Sequence, residues 1–219
     1  ATAIWMRDLK AEFRTRYAVN AILMFALTTL IAVSFSIGAH RIADTEKPFI
    51  NAVLLWIILV FSALSGLSRS FVKEQEAGTM DVLKLSARPQ AVFLGKLFFN
   101  LTLLGALEII IVPAFVVLMG YDIRLLGCFW AMIVSAGLGL AAATTIVAAM
   151  IAQASARGAL FSALSFPLLL PLMITAIKGC ERAAIGLDPA GWPEVRIALA
   201  YAVIMTVMSL FLFPLIWEE

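Results

Sequence analysis

One carboxylate, Glu108, stands inside an otherwise uncharged stretch from Leu97 to Tyr121. An ionised carboxyl near the middle of a bilayer costs about 2.5 kcal/mol or more, so a residue of this kind faces other helices or a water-filled path. Two readings of it stand side by side. In one, Glu108 is a functional intramembrane group. In the other, it is a protonated carboxyl bonded to a neighbour such as Asn100, Thr144 or Thr145, and it fixes helix packing. Other chemistry-bearing residues are sparse. His40, the only histidine, lies just outside the first apolar run. Cys128 falls inside an apolar run and Cys180 beyond one, an arrangement that suits neither a disulfide nor a metal site. Glu181, Asp188 and Glu194 share one segment, without a histidine and without the pairing that separates an acid from a base. No G-x-x-x-x-G-K-[ST], G-x-S-x-G or H-E-x-x-H occurs, so the chain shows no phosphate cradle, no activated serine and no zinc site. A stand-alone enzyme is therefore not expected, with no catalytic residue and no metal ligand assigned.

The elements that must position Glu108 follow from composition. The 219 residues are 63% hydrophobic and 14% charged, with a mean hydropathy of +1.03. A soluble domain is about 45–50% apolar and about 25% charged, so this excess has no water-soluble core to hide in. Uncharged runs cover 17–39, 48–68, 125–156, 158–177 and 197–217, and a sixth, 97–121, is broken only by Glu108. Crossing about 30 Å of hydrocarbon at about 1.5 Å per residue takes roughly 20 residues, which each run supplies. The expected fold is an all-α membrane protein of six transmembrane helices in a single domain spanning 1–219. Barrel strands would be about 10 residues long with alternating polarity, which these runs lack. The first run is too long for the apolar part of a signal peptide and is expected to stay in the membrane. A net charge of +2 without a basic block gives no footprint for nucleic acid.

Ten Lys/Arg lie on the side of the N-terminus and six on the other, which puts both termini in the cytoplasm. Residues 1–17 are too charged to span. Trp5, Leu9, Phe13 and Tyr17 make one stripe with Arg7, Lys10 and Arg14 roughly opposite, the pattern of an interfacial helix, although Glu12 and Arg16 sit close to the apolar face. Between the second and third runs, Gly78 offers a break, Thr79 an N-cap and Asp81 a first-turn acid, while Lys84 and Arg88 suit the helix end and Pro89 closes it. A short helix is predicted there against the membrane surface. On the outer side, 178–196 is rich in Gly and Pro and partly apolar, so a short re-entrant or surface helix is expected. Pro113, Pro167 and Pro171 are expected to kink their spans. Ser135, Gly139 and Ala143, with Gly137 nearby, form a small-residue stripe for close packing.

Together, the surface helix, the six spans, the segment Glu76-Ala77-Gly78-Thr79-Met80-Asp81-Val82-Leu83 and the long outer loop resemble the ABC-2 class of exporter permeases. Within that class the chain is most similar to the haem exporter protein B family (CcmB) of cytochrome c maturation. The likeness covers almost the whole chain and is strongest from Leu55 to Asn100 and in SFPLLLPLMI from Ser165 to Ile174. The G-[TS]-x-[DE]-x-L core marks only the class, while the Pro167/Pro171 pair and the compact length point to the family.

The resemblance implies a coupling helix over 74–88 that docks on an ATP-binding-cassette ATPase subunit. Glu74 would belong to this coupling segment, Glu76, Gly78, Thr79 and Asp81 would form its turn and cap, Met80, Leu83 and Leu85 its apolar anchors, and Arg88 a contact to the partner or to phospholipid. It also implies a homodimer of the permease, a haem-handling membrane protein with a small helper, and indirectly a periplasmic haem chaperone. Haem would be the cargo, ATP would act through the partner, and no cofactor would be held by this chain itself. The location would be the bacterial inner membrane, with lipid around the spans. Three rivals remain: an ABC-2 exporter for a drug or glycolipid, a proton-coupled secondary transporter using Glu108, and a purely structural assembly subunit.

Overall fold

The computed structural model describes residues 1–37, 43, 45–67, 71, 78, 88–152, 157–186, 189 and 191–218, without the side chains of Tyr17, 152–163 and Glu218. Its described residues form seven helices: α1 (Thr2–Thr15), α2 (Tyr17–Ile37), α3 (Lys47–Leu67), α4 (Pro89–Met119), α5 (Leu126–Ala152), α6 (Arg157–Ile185) and α7 (Trp192–Glu218). Six of them, α2 to α7, are long and apolar enough to cross a membrane. The all-α, six-span architecture expected from the uncharged runs is the one observed, with no strand among the described residues.

Two helices outrun their uncharged cores. α4 starts at Pro89, a residue suited to the first helical turn because the amide it lacks would be unsatisfied there anyway. Its 31 residues reach about 46 Å, well past a hydrocarbon core, so its first turns carry Lys96 without placing it mid-membrane. α6 runs on through Lys178, Glu181 and Arg182 to Ile185. The re-entrant or surface helix expected over 178–196 is therefore not what forms. Most of that segment extends α6 and begins α7, which leaves a short turn with left-handed glycines at Gly186 (φ 77°) and Gly191 (φ 85°). The extension is amphipathic. Gly179, Cys180, Ala183 and Ala184 are buried, while Lys178 and Arg182 are exposed. Charge density hid this periodicity. Pro113, Pro167 and Pro171 all sit inside helices, as does Pro214 of α7.

α5 forms the centre and packs chiefly on α7 and α6. Its small residues make this contact close, because a Cβ on Gly139 would lie 2.9 Å from Tyr201 Cδ1 and 3.1 Å from Leu172 Cδ2. Ser135 and Ala143 of the same stripe are buried, so the stripe packs helices as expected. α3 packs on α6 and α2, and α4 bridges α5, α1, α2 and α7. Large apolar side chains such as Phe35, Val117 and Phe211 point outward, a surface suited to lipid rather than water.

Candidate functional site

Glu108 sits on α4 eleven residues before Met119, and Gly137 sits on α5 eleven residues after Leu126, so the two are at the same depth. The Glu108 carboxyl lies against Gly137. A Cβ there would overlap Oε1 and would stand 3.1 Å from Cδ and 3.2 Å from Oε2. Glu108 is 7% exposed, and its Oε1 has no hydrogen-bond partner among the described residues. The bond partners considered from sequence are engaged elsewhere. Asn100 Nδ2 donates to Thr145 Oγ1 at 2.9 Å, the Thr144 hydroxyl donates to the Leu140 carbonyl at 2.7 Å, and the Thr145 hydroxyl donates to the Ala141 carbonyl at 2.6 Å. α5 carries no ionisable side chain except Cys128. A glycine facing a carboxyl thus replaces the side-chain donor that sequence reasoning looked for.

A second constellation joins the ends of the helices near the termini. Lys96 of α4 is buried, and its Nζ lies 2.8 Å from Asp8 Oδ2 of α1 and 5.6 Å from the centroid of the Phe71 ring. Phe71 in turn meets Phe213 at 5.7 Å and Trp217 at 6.5 Å, and Phe93 meets Phe213 at 5.5 Å. Apolar burial with ring contacts of this kind gives a rigid joint. The N-terminal helix and Phe71 thus meet on Lys96 near the start of α4, and the end of α7 joins them through the Phe71 ring. Sequence reasoning missed the joint because its members are far apart in the chain.

α1 is held to the bundle by the Trp5 Nε1 bond to Thr102 Oγ1 at 3.1 Å as well. Glu12 is buried, and its Oε1 accepts from the backbone N–H groups of Ala18 (2.6 Å) and Val19 (3.1 Å). It caps the positive end of α2 from the preceding helix. Arg16 makes the corner in the left-handed conformation, φ 52°. The expected stripe is thus divided: Trp5 and Leu9 pack on the protein, whereas Phe13 is 71% exposed.

At the opposite end, Tyr121 is buried between α3, α4 and α6. Its hydroxyl faces the carbonyls of Cys180 (3.2 Å) and Pro48 (3.3 Å). Burial chiefly, then the neighbouring Cys180 and Glu181, raise its phenol above the ordinary tyrosine value. Cys180 accepts from Trp56 Nε1 at 3.3 Å, and both cysteines are free thiols. A cavity of about 580 Å³ beside Tyr121 is lined by Lys47, Asp122 and Arg124 among others. Arg182 and Glu194 pair at 2.6 Å across the α6–α7 turn.

Of the residues assigned to a coupling helix, Glu74, Glu76, Thr79, Met80, Asp81, Leu83 and Leu85 lie outside the described residues, as do His40 and Asp188. Gly78 is described at φ 64°, and Arg88 is the extended N-cap of α4.

These features define an all-α membrane permease with six helices long and apolar enough to span. The profile of the CcmB protein family matches residues 1–215, and the chain belongs to that family. It is also similar to Heme exporter protein B of Bradyrhizobium diazoefficiens, 23% identical over 194 residues that cover 88% of this chain and 86% of the relative.

Proposed function

We propose that this chain is the membrane subunit of an ATP-driven haem exporter for cytochrome c biogenesis, set in the bacterial inner membrane with both termini in the cytoplasm. The observation that carries this reading is membership of the CcmB family over residues 1–215, joined by likeness to a relative named for haem export. ATP is hydrolysed by a separate cassette subunit, and this chain converts that cycle into movement of its helices. The outcome is haem export or release of the haem-loaded periplasmic chaperone. A homodimer of the permease, a haem-handling membrane protein and its small helper complete the assembly. The segment from Glu74 to Arg88 makes the ATPase contact. In support, its flanks are fixed, by Phe71 in the aromatic joint and by Arg88 and Pro89 at the start of α4.

The test is to solubilise the tagged chain from its native membrane in mild detergent and identify what accompanies it by mass spectrometry. An ATPase subunit together with a haem-handling membrane protein is the expected result. An ATPase without haem proteins would move the assignment to an exporter of another substrate. No ATPase, even after cross-linking, would remove the coupling role and leave secondary transport through Glu108. Gly78→Pro supplies the functional arm. Proline fixes φ near −65°, incompatible with φ 64° at this turn, so the variant should reach normal protein level and lose cytochrome c maturation. Normal maturation would rule out the coupling assignment.

A further inference from the structure

α1 and the corner that follows it carry four cations and two carboxylates within Arg7–Arg16, which from sequence alone is a weakly basic flank. The fold changes this balance. Glu12 turns inward to cap α2, and Asp8 turns inward to Lys96 while also holding Arg7 at 2.8 Å. Both acids are thereby withdrawn. Lys10, Arg14 and Arg16 are left exposed, with no ion pair among the described residues. Beside them, Met6 and Phe13 are exposed at 44% and 71%. Lys10 stands four residues after Met6, three before Phe13 and four before Arg14, so these four share the face that the bundle leaves uncovered, in place of the opposition between Phe13 and the cations expected from the sequence, and Arg16 follows at the corner.

The depth of this face is set by its neighbours. α2 starts immediately after the Arg16 corner, and its 21 residues measure about 31 Å, the thickness of a hydrocarbon core. Its first turn, and with it α1, therefore lies at the boundary between acyl chains and headgroups. A face at that depth offers Phe13 and Met6 to acyl chains and the cations to phosphates.

We propose that the outward face of α1 is a binding surface for anionic phospholipid in the leaflet on the side of the termini, with Lys10, Arg14 and Arg16 as headgroup contacts and Met6 and Phe13 as acyl anchors. The ligand group is a phosphate diester in a membrane carrying net negative charge. The surface belongs to this chain's own helix and does not depend on the cargo.

The test uses the full chain in mild detergent, titrated with phosphatidylglycerol or phosphatidylcholine and read by native mass spectrometry. Phosphatidylglycerol should bind more tightly, by about fivefold for each of the three cations. Lys10→Gln with Arg14→Gln should remove about fivefold of that preference per charge and leave the melting temperature unchanged, because both side chains are exposed. Met6→Ser with Phe13→Ser should weaken both lipids alike and preserve their ratio; a ratio that falls would place the selectivity outside the three cations. Inorganic phosphate, compared with chloride at equal ionic strength, should not displace phosphatidylglycerol. Displacement would make this a free-anion site and overturn the lipid assignment. Equal binding of both lipids by the unaltered chain would overturn the proposal, as would an unchanged preference in the double charge variant. A preserved preference with loss of a co-purifying protein would give the face to a protein instead.

Discussion

The carboxyl group of Glu108 on α4 occupies the space over Gly137 of α5 that a methyl group would fill. The two helices can therefore close on an acidic side chain only because the facing residue has none. Gly137→Ala forces the carboxyl aside, and overpacking of this kind costs about 1–3 kcal/mol. Glu108→Ala in the same chain should recover part of that loss. A double-mutant cycle on thermal unfolding in detergent measures it, with an expected coupling of about 0.5–3 kcal/mol. Strict additivity would show that the two residues do not share this space.

The Lys96–Asp8 pair is largely withdrawn from solvent, with side chains 4% and 12% exposed. Breaking a fully buried pair from one side costs about 3–5 kcal/mol, because the remaining charge keeps its desolvation penalty, and the cost here is below that because Asp8 keeps Arg7 at 2.8 Å. Lys96→Met should thus lower the unfolding temperature and loosen α1, read as faster proteolysis before Tyr17. Lys96→Met combined with Asp8→Leu should be milder than Lys96→Met alone. If the double variant is the worse of the two, the pair is not the link that holds α1.

Glu12 caps α2 across the corner at Arg16. Glu12→Ala removes the acceptor of two backbone amides and should cost about 1 kcal/mol, the usual scale for a lost cap. The effect should be local. Amide exchange at Ala18 and Val19 should accelerate while α5 stays protected, and Glu12→Gln should restore part of the protection. Uniform acceleration through the bundle would contradict a capping role.

Tyr121 gives the pH dependence a sign. Its phenol is raised in the folded protein by burial and by Cys180 and Glu181, while in the unfolded chain it titrates near about 10. Its protonated form is favoured by folding, so its contribution is complete below about pH 10 and is lost as pH rises beyond that value. Alkaline unfolding, followed by tryptophan fluorescence, should start near that pH. Tyr121→Phe removes the hydroxyl facing Cys180 and Pro48, should cost about 1 kcal/mol at neutral pH, and should flatten the alkaline limb. An unchanged limb would place the titrating group elsewhere.

How much of this was legible in the chain differs from residue to residue. The six spans were readable because an uncharged run of about 20 residues has few fates other than crossing a bilayer, where its backbone must bond within itself. Glu108 stood out for the same reason, as the single charge in such a run. The family likeness was readable from the segment after the second span and from Pro167 and Pro171, and the match over 1–215 agrees with it. The continuation of α6 through Lys178 and Arg182 was not readable, because charges within a turn of the headgroups look the same in a loop and in a protruding helix.

Side-chain destinations were beyond the sequence altogether. Glu12 looked like a flaw in an amphipathic stripe until α2 turned its free amides toward it. In the packing reading of Glu108 its partner was a polar side chain, but the fold set a glycine there. Lys96, Asp8, Phe71, Phe213 and Trp217 meet only because α1, α4 and α7 end on one side of the bundle. Periodicity along one helix fixes which residues share a face. Which neighbour covers that face is a long-range choice, made when apolar surfaces from distant parts of the chain pack together and leave each polar group only the partners within reach.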